Sequence, residues 1–266
     1  MNKWIEKSIE LANANGYLDK LSKIYPVNLE LERDITQEEK NKIKEELKSK
    51  NRKGLISVLL NLERFPIDDP YIGFLRKDKD AINKNPKTIK RIGDRLLEMG
   101  LDNLIIGASK AKSPSRQIGQ LFKKYLGNLG YPILGKEDFL KSKNVAILEG
   151  GDKSLMDFAK EELGYTGKKG LDLIFKIRDS YIIGEAKFIS AKGGTQDKSF
   201  REGVALAKRK SKKATHIAVL DGVSWLVVRT RGKKPTLYET VFKLKKNQIV
   251  ISALLLKDFI KDFNKE

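Results

Sequence analysis

The 266-residue chain contains no cysteine. That excludes a disulfide framework or thiolate-bound zinc and fits a reducing compartment. It contains one histidine, so a centre built on clustered or paired histidines cannot be assembled from a single copy. No apolar run approaches the roughly 20 residues that span a bilayer. No Lys/Arg-rich amphipathic helix with an aromatic face supports attachment to a membrane surface either. The N-terminal Met1-Asn2-Lys3-Trp4-Ile5-Glu6 lacks the charged-then-apolar pattern of a secretion signal, and a cytoplasmic location is expected. No Gly-x4-Gly-Lys-Ser/Thr loop is present, which argues against an ATP motor. Internal repeats and low-complexity segments are also missing.

Positive charge is abundant. Net charge is +19 and the pI about 9.7, the electrostatic footprint of a polyanion binder. The excess is uneven. Residues 1–50 carry ten basic and ten acidic side chains, residues 201–266 carry sixteen and six, and Asn103–Lys136 holds six basic residues and no acid. Segments Asn103–Lys136 and Val204–Lys234 are therefore expected to face a nucleic acid.

Two textures divide the chain. Residues 1–110 read as a helical N-terminal region, with helices over Lys3–Ile24, Thr36–Ser49, Arg52–Arg64, about Asp69–Lys77, and Pro86–Met99. Thr36 and Glu39 form a capping box, and Asn85-Pro86 starts the last of these helices. Thr88–Asp102 faintly suggests a helix-turn-helix, but an amphipathic packing helix is the favoured reading. Residues 111–266 alternate helices and strands. A helix begins at Ser113-Pro114, with Ile118, Leu121, Phe122, Tyr125, Leu126 and Leu129 on one face. Asn144–Leu148 is a strand, Lys153–Leu163 a helix, and Asp197–Arg209 another helix. His216–Leu220, Trp225–Arg229 and Leu237–Lys243 read as strands, and Ile251–Phe263 as a final helix. This order predicts an α/β sheet covered by helices on both faces.

The most informative stretch is Gly170 to Phe188. Leu171–Ile177 and Tyr181–Phe188 are β-branched and aromatic runs broken at Arg178-Asp179-Ser180, which predicts a β-hairpin. With Arg178-Asp179 as the turn, Asp172 lies opposite Glu185, their Cβ atoms roughly 5 Å apart. Alternation puts Lys187 on the face of Glu185. Two carboxylates that close repel unless a cation lies between them. Mg²⁺ is often held by one or two carboxylates plus a substrate phosphate. Lys187 would then hold or activate a water beside the ion. Such an arrangement suits phosphodiester hydrolysis.

Asp172…Glu185-Ala186-Lys187 resembles the PD-(D/E)XK nuclease signature. Gly184-Glu-Ala-Lys-Phe188 followed by Gly193-Gly-Thr-Gln196 is more similar to type II restriction endonucleases than to repair or recombination nucleases. The likeness covers about residues 113–230 and leaves the N-terminal third unmatched. It departs from the signature at Leu171, where the motif has proline, and Asp179 competes as the acidic position. The resemblance implies a restriction-endonuclease-like core, a central mixed sheet flanked by helices. It implies Mg²⁺ bound by Asp172 and Glu185, with Lys187 orienting or deprotonating the attacking water. The implied activity is cleavage of double-stranded DNA at a short, palindromic site by a homodimer. A DNA methyltransferase acting on the same site would accompany it, and the helical N-terminal region would clasp DNA or dimerise.

Other residues carry open alternatives. Gln196 either reads a base edge or caps the following helix. Arg116 and Gln117, at a helix start, are expected near DNA, with Arg116 on phosphate rather than guanine. Lys192, Lys198, Arg201, Lys208 and Arg209 are further candidate DNA contacts; the Lys208–Lys213 cluster also suits a helix C-terminus. Gly193-Gly194 either lets backbone approach phosphate or forms a loop. Glu149, on a glycine-flanked turn, reads as an exposed loop acid in preference to an additional carboxylate at the metal, and His216 as structural.

Overall fold

The computed structural model describes residues 2–26, 33–110, 114–226 and 237–265, with backbone alone for 114–116. The chain divides into two compact units: residues 1–27 with 115–266, and residues 28–114. The first two helices thus belong with the sheet unit, whereas a boundary at residue 110 had placed them with the helical region. The reason is apolar. Trp4, Ile5, Tyr17, Leu21 and Ile24 share one buried cluster with sheet residues such as Phe175 and Val219.

In residues 28–114, α3 (Gln37–Lys48), α4 (Arg52–Asn61), α5 (Ile72–Lys77), α6 (Ala81–Lys84) and α7 (Pro86–Ser109) surround Ile43, Leu55, Leu59, Ile92 and Leu96. Thr36 and Glu39 form the expected capping box on α3. The helix that starts at Pro86 ends at Gly100 as expected. That residue is non-helical, with a φ of 70° in the left-handed region, and a second helical stretch follows it to Ser109 across the kink. Ile89, Ile92 and Leu96 are buried, so Thr88–Met99 forms a packing helix, and the stretch turns at Gly100 before Asp102.

The other unit begins with α1 (Lys3–Asn13) and α2 (Tyr17–Ile24), broken by Gly16 at φ 74° where one continuous helix was expected. It continues through α8 (Pro114–Gly127), β1 (Ile133–Leu134), α9 (Lys136–Lys141), β2 (Ala146–Leu148), α10 (Asp152–Leu163), β3 (Leu173–Ile177) and β4 (Ser180–Ile189). Then come α11 (Gly194–Ala207), β5 (Ala214–Gly222), β6 (Ile249–Ile251) and α12 (Leu256–Phe263). The six strands form one mixed sheet in sequential order: β2–β3 and β3–β4 are antiparallel, β1–β2, β4–β5 and β5–β6 parallel. Alternate residues of β3 enter different clusters, Leu173, Phe175 and Ile177 one and Ile174 the other, so both sheet faces are covered.

The periodicity missed the two- and three-residue strands β1 and β6, which are too short to show alternation, and the short helix α9. Leu237–Lys243 is a 3₁₀ segment rather than a strand. Val223–Trp225 is also 3₁₀, and the rest of the strand expected at Trp225–Arg229 lies outside the described residues beyond Leu226. Among the described residues no helix is long and apolar enough to cross a membrane.

A buried polar node fixes the helices to β5. Asp221, fully buried, accepts hydrogen bonds from Tyr25 Oη (2.7 Å), Ser252 Oγ (2.5 Å) and the Ala253 N–H (3.3 Å). Ser8 Oγ accepts from the Ser252 N–H at 3.0 Å, and Tyr125 Oη donates to the Ala253 carbonyl at 2.7 Å. Burial raises the Asp221 pKa to about 6 despite these donors. Between pH 4 and 6 the folded state therefore binds a proton that the unfolded state does not, and stability falls as pH rises through that window. Asp221→Asn should remove this slope, and Tyr25→Phe should cost about 1–3 kcal/mol by leaving the carboxylate short of a donor. Urea unfolding at pH 4, 5, 6 and 7 measures both.

Candidate active site

Hairpin β3–β4 pairs Leu173 with Gly184 and Ile177 with Ser180, around a two-residue turn in which Arg178 takes a φ of 54°. Asp172 lies just before the ladder and is not paired with Glu185 as the turn arithmetic expected; its N–H donates to the Gly184 carbonyl at 2.9 Å, one residue out of that register. Asp172 Oδ2 accepts the Ala186 N–H at 2.8 Å, tying the acid to the strand that carries Glu185 and Lys187. Lys187 Nζ stands 3.7 Å from Glu185 Oε2 and 3.8 Å from Asp172 Oδ2. It is equidistant from both acids and too far for a close hydrogen bond to either.

Glu185 is 3 % exposed, and its Oε2 is buried with no hydrogen-bond partner. Burial raises its pKa; Lys187 opposes that rise and Asp172 adds to it. Asp172 is raised for the same first reason, with Lys187 and the Ala186 N–H pulling the other way. An orphaned carboxylate oxygen beside a second carboxylate is a hard-oxygen donor set that a divalent cation fits. Among the described residues no group of three or more His, Cys, Asp or Glu could hold a metal ion.

The competing acid is excluded by position. Asp179 is exposed in the turn at the far end of the hairpin, roughly 20 Å from Asp172 by strand rise. The leucine at 171 also has a local cause. Its N–H donates to the Asp152 carbonyl at 3.1 Å and its side chain is fully buried; proline would forfeit that bond. Gly184 has a packing role. A Cβ there would meet Ile217 at 2.8 Å, so glycine lets β5 approach β4.

A model of the Tsp45I type II restriction enzyme family matches residues 2–263. The chain belongs to that family. It is a site-specific deoxyribonuclease acting on DNA, and type II restriction enzymes generally use a divalent metal. The mixed sheet flanked by helices agrees with a restriction-endonuclease-like α/β fold. The match runs through the N-terminal helices, where the motif likeness had been silent. Comparison with curated proteins and with solved structures gave no match.

The enzyme's other candidate residues are placed less tightly. Gln196 Oε1 accepts from the Ser190 N–H at 3.3 Å, bracing the loop between β4 and α11. Asp197 Oδ1 accepts from the Gly193 N–H and from Tyr238 Oη, anchoring the same loop. Lys192, Lys198, Arg201 and Lys208 are exposed. Arg209 stacks over Tyr165 at 5.7 Å and donates to Thr166 at 3.3 Å. Gln117 is half-buried on α8; the side chain of Arg116 lies outside the described residues. The two basic segments are only partly described, since residues 111–113 and 227–236 lie outside as well. Glu149 is exposed, and buried His216 holds its Nδ1 3.1 Å from the Arg209 carbonyl.

Two ion pairs flanking the acids escaped the sequence reading. Lys123 pairs with Asp152 at 3.0 Å, and both bear on the Asp172 carboxylate; Lys169 pairs with Glu202, and both bear on Glu185. Only Lys168-Lys169, set between glycines just before Asp172, left a mark in the sequence.

The buried acids make a metal-free prediction. In chelator at neutral pH, Glu185→Gln should raise the melting temperature, because it removes one of two acids that share the single Lys187 ammonium and relieves their mutual repulsion. A divalent ion should stabilise the wild type by about 2.7 kcal/mol at 100 times its Kd but leave the variant unmoved. Because both carboxyls titrate above their ordinary range, apparent metal affinity should climb as pH rises through and beyond it. Scanning fluorimetry against pH and metal concentration measures these effects.

Proposed function

We propose that the enzyme hydrolyses phosphodiester bonds of double-stranded DNA in a Mg²⁺-dependent reaction at a short, palindromic site, with Asp172, Glu185 and Lys187 as its catalytic residues. The observation that carries this reading is the buried, unpartnered Glu185 Oε2 beside Asp172, with the Lys187 ammonium about equally far from both. Asp172 and Glu185 would hold the Mg²⁺, which when bound supplies positive charge to the phosphoryl oxygens and lowers the pKa of a coordinated water. Asp172 is oriented by the Ala186 N–H, so its carboxylate is set before DNA arrives. Glu185 rises from an apolar strand that keeps bulk water from competing. Lys187, held between two acids, orients the attacking water for in-line displacement at phosphorus.

Asp172→Ala and Glu185→Ala should abolish cutting and spare DNA binding, because the basic surface remains. Lys187→Ala should lower the single-turnover rate about 10²–10³-fold. Lys187→Arg should fail as well, since a planar guanidinium does not replace a compact ammonium. Incubation with plasmid DNA in Mg²⁺, followed by sequencing of the fragment ends, reads these rates and the site. Near-normal cutting by Asp172→Ala would move the metal elsewhere.

One chain supplies one such set of residues. Cutting both strands of a palindrome is most simply done by two copies on a two-fold axis, so the enzyme is expected to act as a homodimer. The helical N-terminal region would supply the dimer contact or clasp DNA. A methyltransferase modifying the same site would protect host DNA. Sedimentation of the free and DNA-bound enzyme should show two chains per site. A monomer nicking one strand at a time would contradict the dimer.

A further inference from the structure

The loop entering Asp172 is Gly164-Tyr-Thr-Gly167-Lys-Lys-Gly170, three glycines and two adjacent exposed lysines in seven residues. Its path is fixed without help from the lysines. Gly164 ends α10 at φ 68°, and the Tyr165 N–H donates to the Ala159 carbonyl at 3.0 Å while its ring is buried. Gly170 lies so close to Asp152 that a Cβ would meet the Asp152 Cβ at 2.7 Å. The lysines are thus presented by a loop already anchored at both ends.

Lys169 forms an ion pair with Glu202 of α11, the lysine half-exposed and the glutamate largely covered. Glu202 precedes Gly203, whose missing Cβ lets α11 press onto Leu220 and Ala218, with approaches of 3.0 and 3.5 Å. Those two residues are the cross-strand partners of Lys187 and Glu185. Glu202 therefore holds the Lys169 ammonium beside the metal-binding pair, with one side of it open to solvent. Lys169 and Glu202 both bear electrostatically on Glu185.

We infer that Lys169 binds a DNA phosphate next to the Asp172–Glu185–Lys187 site, and that Glu202 is the positioning residue that keeps its ammonium there. The inference rests on the nuclease reading above. A lysine serves phosphate as a compact point charge, and the glycines beside it let a backbone approach closely.

The test pairs cutting with binding. Plasmid cleavage in Mg²⁺ is measured for wild type, Lys169→Gln, Lys169→Arg and Glu202→Gln, and binding of a labelled duplex without divalent metal is measured from low to high salt. Lys169→Gln should slow single-turnover cleavage about 10- to 100-fold and reduce the slope of log affinity against log salt by about 1, one phosphate contact. Lys169→Arg should restore the slope. Glu202→Gln should keep the slope, slow cleavage and weaken the metal-induced thermal shift, while its midpoint in chelator moves by no more than about 4 °C. An unchanged salt slope and wild-type cleavage in Lys169→Gln would overturn the inference. A wild type that does not cut at all would instead overturn the nuclease assignment of the hairpin, and the salt slope would still report the phosphate contact.

Discussion

Burying Glu185 in β4 is the constraint on which the site depends. A carboxylate at 3 % exposure with one oxygen unpartnered is costly in a protein interior. Packing on both faces of the sheet and the close approach of β5 at Gly184 leave that strand no freedom to expose it. Hydrogen bonds from the Asp172 N–H to the Gly184 carbonyl and from the Ala186 N–H to the Asp172 carboxylate bring Asp172 alongside, and Lys187 lies within 4 Å of both acids. The fold thus holds two carboxylates against one ammonium in a buried setting, the local imbalance on which the proposed metal site rests.

The remainder of the sheet unit acts as scaffold. The Asp221 node joins Ser8 of α1, Tyr25 just after α2, Tyr125 of α8 and the turn after β6 to the end of β5, directly beside Phe188 of β4 in the ladder. Tyr25 stacks edge-on against Phe188 at 5.4 Å, so the first helices brace the strand that carries Glu185 and Lys187. This explains why residues 1–27 belong with the sheet although residues 28–114 form a separate unit.

Much of the hairpin was legible because strand alternation and a two-residue turn fix register arithmetically from Ile177–Ser180 to Leu173–Gly184. The direct pairing of Asp172 with Glu185 that this arithmetic extends to is not part of the ladder, since the Asp172 N–H bonds to the Gly184 carbonyl instead. Helices with caps, such as that after Thr36, were equally readable. Strands β1 and β6 were not, because two or three residues show no period. The break at Gly16 was passed over since apolar spacing continues across it. The ion pairs Lys123–Asp152 and Lys169–Glu202 join residues 29 and 33 apart through tertiary packing, which no local pattern encodes. Gln196 bonds to the Ser190 backbone, a local contact that composition could not separate from base reading.

The most direct measurement of the central claim is anomalous diffraction from crystals of the enzyme grown in Mn²⁺. The account expects a single strong peak per chain, coordinated by the Asp172 and Glu185 carboxylates with Lys187 adjacent. A peak held by other residues, with none between those two acids, in an enzyme that cuts DNA in the same metal, would contradict it.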